Sequence, residues 1–382
     1  MKRFVVLLAF FAACLQASAF DWKPQSNEDL RKDMFAFIEK FREGTADRKL
    51  SVELGTFLNA QKELAATCPY AWIQDTHHFV DRMLERFPAE ISDGGKCTYE
   101  RRSLLLLRDY PMHADNKPKD TPQGLKDAYV NSVKGLYAAA EADALKWLSK
   151  GGRSKKLDVF KVYNMGFLFR SQGQTVGIDL QWSGDRKQMD ELASYLDVLF
   201  ITHPHGDHYT KELLVAMLEA GKPVVIPCDL LPEINSPLKV VVGEDNPSGL
   251  IAGGVSFKSM MGNQGPRTPC NVYLMTVGGW NIAHNGDNGV EEVDAYLSSE
   301  KVDVLVAACW NGIREIMTKV KANPDNSGCI YLSAHENEWQ HTVDHREAYE
   351  ELFRRKDRLG DPEFGYLPSV VMDAAGDRFV LK

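Results

Sequence analysis

The chain has 382 residues, 44% of them hydrophobic and 26% charged, and a formal net charge of −8. This composition excludes a disordered, collagen-like or disulfide-scaffold protein and leaves room for two domains. The acidic balance, with no basic patch interleaved with aromatics, argues against nucleic acid as a partner.

The chain opens with Met1-Lys2-Arg3, continues with an apolar run from Phe4 to Ala13, and reaches a small-x-small pattern at Ala17-Ser18-Ala19. Residues 1–19 therefore read as a signal peptide, too short to persist as a membrane helix. The mature product is expected to be secreted or periplasmic, with no transmembrane segment, and more acidic because Lys2 and Arg3 leave with the peptide. A lipoprotein attached through Cys14 is the alternative, since Phe11-Ala12-Ala13-Cys14 resembles a bacterial lipobox. The other cysteines, Cys68, Cys97, Cys228, Cys270, Cys309 and Cys329, show no Cys-x-x-Cys spacing. Export permits disulfides, with Cys68 and Cys97 the first pair to test and buried free thiols the alternative.

From residue 20 to 151 the pattern is helical. Met34, Phe37, Ile38 and Phe41 stand at i, i+3, i+4 and i+7 before Gly44, and Val80, Met83, Leu84 and Phe87 repeat the spacing before Pro88. A longer stripe follows through Tyr129, Val133, Leu136, Ala140 and Trp147. These stripes predict core packing, and His77 and His78 read as an exposed or locally satisfied pair. The region can cap a site, form a dimer surface or brace the second domain.

At Gly151-Gly152-Arg153-Ser154-Lys155-Lys156 the composition becomes that of a flexible link, and strand periodicity begins. Residues 157–170 and 175–180 read as paired strands, followed by a helix near Asp190, a buried strand at 196–201 and a helix at 211–219 stopped by Gly221. Short strands are predicted at 222–227, 238–242 and 255–260, then a hairpin of 271–277 and 280–284 across Gly278-Gly279. A helix at 290–298, a strand at 302–307, a helix at 313–321, a strand at 329–333, a helix around 345–356 and a terminal pair near 373–376 complete the chain. Strands and helices alternate in two halves, which fits two packed sheets with helices outside.

The buried strand at 196–201 runs into His203-Pro204-His205-Gly206-Asp207-His208. Three imidazoles and a carboxylate within six residues each need a polar partner, and a metal supplies one; these are ligands zinc prefers. Two later strand ends carry similar chemistry: His284-Asn285-Gly286-Asp287 and Ser333-Ala334-His335.

These residues resemble the metallo-β-lactamase superfamily of hydrolases. Its H-x-H-x-D-H signature is matched by His203, His205, Asp207 and His208, its later aspartate by Asp287 and its last histidine by His335. The resemblance covers roughly residues 157–382, and His284 before the Gly-Asp pair is most similar to lactonase and phosphodiesterase branches. It implies an α+β fold, an αββα four-layer sandwich, preceded here by a small all-α region. It also implies one or two zinc ions, with manganese an option: His203 and His205 on the first, Asp207, His208 and His335 on the second, Asp287 between them. The family's third histidine of the first site is missing, since no histidine lies between His208 and His284; Asn263, Gln264, Cys270 or His284 could substitute.

The implied activity is hydrolysis of a small-molecule ester, lactone or phosphodiester by zinc-activated water, with Asp207 orienting the nucleophile and His284 or His341 protonating the leaving group. Asp179 is expected to orient a ligand histidine, and Trp310 and Trp339 to line a pocket or join the core. The competing expectation is a ligand-binding protein that keeps the fold and a metal without turnover.

Overall fold

The computed structural model describes residues 26–89, 98–114, 121–242, 250–264, 268–289, 298–311, 313–340, 348–357, 370–371 and 375–381. Its first half is helical: α1 (Asn27–Gly44), α2 (Arg48–Leu64), α3 (Ala71–Leu84), α4 (Tyr99–Met112) and α5 (Gln123–Ser149). The starts follow capping chemistry, with Ser26, Asp47 and Thr98 side chains accepting the N–H groups of Asp29, Leu50 and Arg101. The expected stripes are buried, including Met34, Ile38 and Phe41 on α1 and Val80, Met83 and Leu84 on α3. His77 is buried with Nδ1 2.7 Å from Ser132 Oγ, whereas His78 is exposed.

The second half forms two seven-stranded sheets. One contains, in spatial order, β14 (Arg378–Leu381), β1 (Leu157–Tyr163), β2 (Gly166–Ser171), β3 (Gln174–Ile178), β4 (Val198–Phe200), β5 (Val224–Ile226) and β6 (Lys239–Val241). The other contains β13 (Val370–Val371), β12 (Ile330–Ala334), β11 (Val304–Ala308), β10 (Trp280–His284), β9 (Thr268–Val277), β8 (Val255–Gln264) and β7 (Leu250–Ala252). Strands β3 to β6 run parallel, as do β10 to β13, so their carboxyl ends form common rims. The described residues also form the helices α6 (Arg186–Tyr195), α7 (Lys211–Glu219), α8 (Ile313–Lys321) and α9 (Tyr349–Asp357) and a short 3-10 helix (Pro324–Asn326).

Three apolar cores define the layers. Phe167, Phe169, Val176 and Phe200 meet Phe257, Tyr273, Met275 and Ile282 between the sheets. Outside the first sheet, Leu168 and Leu199 pack with α6, α7 and the carboxyl-terminal part of α5. Outside the second, Val272, Leu305 and Tyr331 share one core with α8, α9 and the N-terminal helices. This is the αββα sandwich, with the all-α region laid against its helical layers.

Some details depart from the sequence reading. Residues 157–170 make two strands, because Asn164 takes a left-handed conformation at φ 50° and reverses the chain before β2. Strand β8 runs on to Gln264, past the predicted end at Met260, and β7 was too short to carry a periodicity. The terminal pair is a turn at Gly376 (φ 87°) feeding β14, which pairs antiparallel with β1. Residues 1–19, Cys97, most of the predicted helix at 290–298 and His341 lie outside the described residues. Among the described residues no helix is long and apolar enough to cross a membrane.

Candidate metal centre

Each candidate ligand stands at the carboxyl end of a parallel strand, where the chain leaves its ladder and a turn aims side chains into the rim. The loop after β4 carries His203 to His208, the turn after β10 carries Asp287, and the segment after β12 carries His335. Gly286, at φ 54°, makes the turn before Asp287; a Cβ there would stand 2.9 Å from both Cys270 Sγ and Thr202 Cβ. One main-chain and one side-chain hydrogen bond tie the two sheets together here, with Asn271 N–H donating to Thr202 O at 2.8 Å and the Tyr273 hydroxyl to Ile201 O at 3.0 Å.

The structure thereby brings all six expected ligands into two groups. One ligand atom each from His203, His205 and Asp287 lie within 4.8 Å of one another, and so do those from Asp207, His208 and His335. Asp287 joins the groups, its Oδ2 lying 3.5 Å from His203 Nε2 and 3.4 Å from His335 Nε2, and its Oδ1 3.5 Å from His208 Nε2. Asp207 Oδ2 lies 3.3 Å from His208 Nε2 and 3.4 Å from His335 Nε2. His203 Nε2, His208 Nε2 and Asp287 Oδ1 are buried and accept or donate no hydrogen bond within the protein. Buried polar atoms of this kind need a partner, and this set of nitrogen and carboxylate donors fits a divalent cation.

The electrostatics point the same way. Burial, with the neighbouring His208, pushes His203 down to about 3, keeping its imidazole neutral. For His208 and His335 burial also opposes charge, but Asp287 and its fellow carboxylates win, raising His335 to about 9 and His208 well above its ordinary value. Asp207 and Asp287 are held far below the usual carboxylate range by His208 and His335, against the cost of burial. The carboxylates thus demand positive charge in this space.

Surrounding groups fix the ligands. Asp179 accepts the Thr202 N–H at 2.7 Å and its hydroxyl at 2.6 Å, and pairs with His208 Nδ1 at 2.9 Å, so it holds the ring of a candidate ligand histidine. Asn164, at the left-handed reversal, donates its amide to Asp207 Oδ2 at 2.8 Å. Sequence reasoning missed Asn164, which lies inside a run that reads as strand and stands at no ligand spacing. Trp310 and Trp339 are both half-buried and each packs against two of the apolar cores; Trp310 stands edge-on to His335, ring centroids 4.3 Å apart, and Trp339 lines a small cavity with Val133, Tyr137 and Gln181.

Of the suggested substitutes for the missing histidine, the Asn263 side chain lies outside the described residues and the other three divide. Gln264 stands beside the candidate ligands, its Nε2 donating to Asp287 Oδ2 at 2.7 Å. Cys270 belongs to neither ligand group: burial pushes its thiol up, and its Sγ accepts the Asn288 amide at 3.3 Å. His284 does not swing in. It is fully buried, its Nε2 at 2.9 Å from Met165 O and its Nδ1 accepting the Gly286 N–H at 3.2 Å. Both nitrogens serve the backbone, so its geometry offers no N–H for a leaving group.

Residues 162–321 match the model of a family described as "Beta-lactamase superfamily domain". No curated protein matches. Among solved structures, this chain is similar to a metallo-β-lactamase fold protein, YhfI, from Bacillus subtilis, at 15% identity and TM-score 0.41, covering 59% of this chain and 99% of that one. It is also similar to Igni18, a metallo hydrolase from Ignicoccus hospitalis, at 14% identity and TM-score 0.44, covering 59% of this chain and 99% of that one. A third, a possible metal-dependent hydrolase from Veillonella parvula, shows 12% identity and TM-score 0.44, covering 60% and 100%.

Proposed function

We propose, from the premise that residues 162–321 carry a β-lactamase superfamily domain, that this protein is an exported metal-dependent hydrolase of an ester, lactone or phosphodiester. The observation that carries the reading is the convergence of two ligand triads from three separate strand ends, with the outward nitrogens of His203 and His208 buried and unbonded. His203, His205, Asp207, His208, Asp287 and His335 would hold a divalent ion, zinc or manganese, which would supply a Lewis acid and lower the pKa of water at the centre toward neutral.

The chain's own residues do the rest. His203, His205 and Asp287 form one half of the centre and Asp207, His208 and His335 the other. Asp207, its carboxylate fixed by the Asn164 amide, is the group assigned to orient attacking water. Trp310 beside His335 provides an apolar wall on which a substrate can rest. Export is supported by the basic-apolar-small pattern of residues 1–19.

The test uses protein recovered from the exported fraction of zinc-supplemented cells, with its N-terminus sequenced and its metal content measured. The expected protein begins at Phe20, carries zinc, and turns over at least one of a panel of esters, lactones and bis-aryl phosphodiesters. Chelation and His205→Ala are expected to lower that turnover at least a hundredfold. Zinc-loaded protein without turnover on any class would sink the hydrolase reading and leave a metal-dependent binder.

A further inference from the structure

We propose that the N-terminal helices set the position of His335, with Asp109 on α4 as the positioning residue; this rests on the reading of Asp207, His208 and His335 as a ligand set. His335 adopts φ 70° and Asn337 φ 49°, a left-handed conformation that residues with a Cβ rarely hold. Such a backbone persists only where its surroundings over-determine it.

The surroundings do so residue by residue. Residues 335–338 are all buried. His335 N–H reaches the Asn164 carbonyl at 3.4 Å, and Glu336 pairs with Lys161 of β1 at 2.5 Å. Glu338 accepts the Tyr163 hydroxyl and the Gln340 N–H. These partners all belong to the β1–β2 hairpin or to the loop itself. Asn337 is held from the all-α region, where Asp109 Oδ1 accepts its amide.

The same carboxylate reaches further. Asp109 Oδ1 accepts the Tyr349 N–H at 3.1 Å, and Oδ2 accepts the Glu350 N–H at 3.3 Å. These are orphan donors in the first turn of α9, so Asp109 caps that helix from outside its own segment. One buried side chain, 3% exposed, therefore joins α4 to the loop that follows a ligand histidine and to the next helix. Helices α4 and α9 also share the core outside the second sheet, where Leu105 and Phe353 lie in one cluster. A ligand displaced by a fraction of an ångström loses coordination, and groups that only orient ligands typically control affinity ten- to a hundredfold.

The test is zinc titration of the full mature chain against a competing chelator, with melting temperature recorded without zinc and at saturation. In Asp109→Ala the second zinc is expected to bind ten- to a hundredfold more weakly, and the zinc-induced rise in melting temperature to shrink. Asn337→Gly removes the same contact while tolerating the left-handed backbone, and is expected to repeat the effect if Asp109→Ala folds poorly. Asp109→Asn keeps an acceptor oxygen for Asn337 and Tyr349, and is expected to recover most of the affinity. A purely structural role would lower both melting temperatures equally and leave both zinc affinities intact; that result overturns the proposal alone. Wild-type protein that takes up no zinc overturns the metal centre and the proposal together.

Discussion

His284 shows how a residue beside a metal centre is sorted by what its ring atoms touch. Its sequence context, one turn before Asp287, suits a proton donor as well as a structural residue, because spacing cannot say where Nδ1 and Nε2 point. In the folded chain both nitrogens hold backbone groups, Met165 O and Gly286 N–H, and burial lowers its pKa. His284→Ala is therefore expected to destabilise the protein by about 3 kcal/mol, combining a cavity with two unpaired buried groups. The pH dependence of turnover in the surviving folded fraction should keep its shape; loss of one limb of the profile would restore His284 as a proton donor. Four of the six candidate ligands were legible because coordination forces a fixed residue spacing on one loop, and Asp287 and His335 because each follows a strand end where the family resemblance places a ligand. Asn164 and Gln264 were not, since an amide that holds a carboxylate across the fold needs only proximity, and proximity leaves no spacing. Asp109 and Asn337 were hidden for the same reason.

Turns decide which strand ends deliver ligands, and two glycines near the centre make opposite demands. Gly286 sits at φ 54° in the turn before Asp287, with Cys270 Sγ, Thr202 Cβ and Thr202 Oγ1 at 2.9, 2.9 and 3.0 Å from any Cβ placed there. Gly206, within the histidine loop, would bring a Cβ no nearer than 3.9 Å to Gln340 Oε1. Gly286→Ala thus carries both backbone strain and a clash, about 1–3 kcal/mol for the conformation alone, and relief requires moving Asp287. It is expected to weaken zinc binding at both halves of the centre, because Asp287 faces both. Gly206→Ala should bind zinc within about twofold of wild type, and parallel chelator titrations decide between them. The element boundaries follow the same logic: the 278–279 hairpin was legible because consecutive glycines mark a tight turn. The reversal at Asn164 was not, because Leu157 to Arg170 reads as unbroken strand until a left-handed asparagine is seen inside it.

At the scale of the whole molecule, the composition change at residues 151–156 marks a switch from helix to strand and not a gap between independent cores. Leu30, Ile38, Leu54, Ile73, Leu105 and Val133 belong to the same buried cluster as Val272, Leu305, Tyr331, Leu352 and Phe353. Ala144, Leu145, Trp147 and Leu148, at the end of α5, lie with Leu168, Leu192 and Leu214. Polar links cross the same seam: Arg101 pairs with Asp377 and donates to Phe87 O at 3.0 Å, and Ser183 Oγ donates to Glu141 at 3.0 Å. A chain beginning at residue 152 would lose the end of α5 from the layer outside the first sheet and α1–α4 with most of α5 from the layer outside the second, leaving only α6, α7, α8 and α9 over them. Removing even four or five of these large side chains costs about 2–5 kcal/mol each, close to the whole stability of an ordinary domain. The shortened chain is expected to be insoluble or molten, and the full chain to unfold in one cooperative transition by both near-ultraviolet circular dichroism and calorimetry. A soluble fragment that melts cooperatively at its own temperature, or two separated transitions in the full chain, would show that the helical half is a removable module and that its hold on the metal-bearing sheets is dispensable.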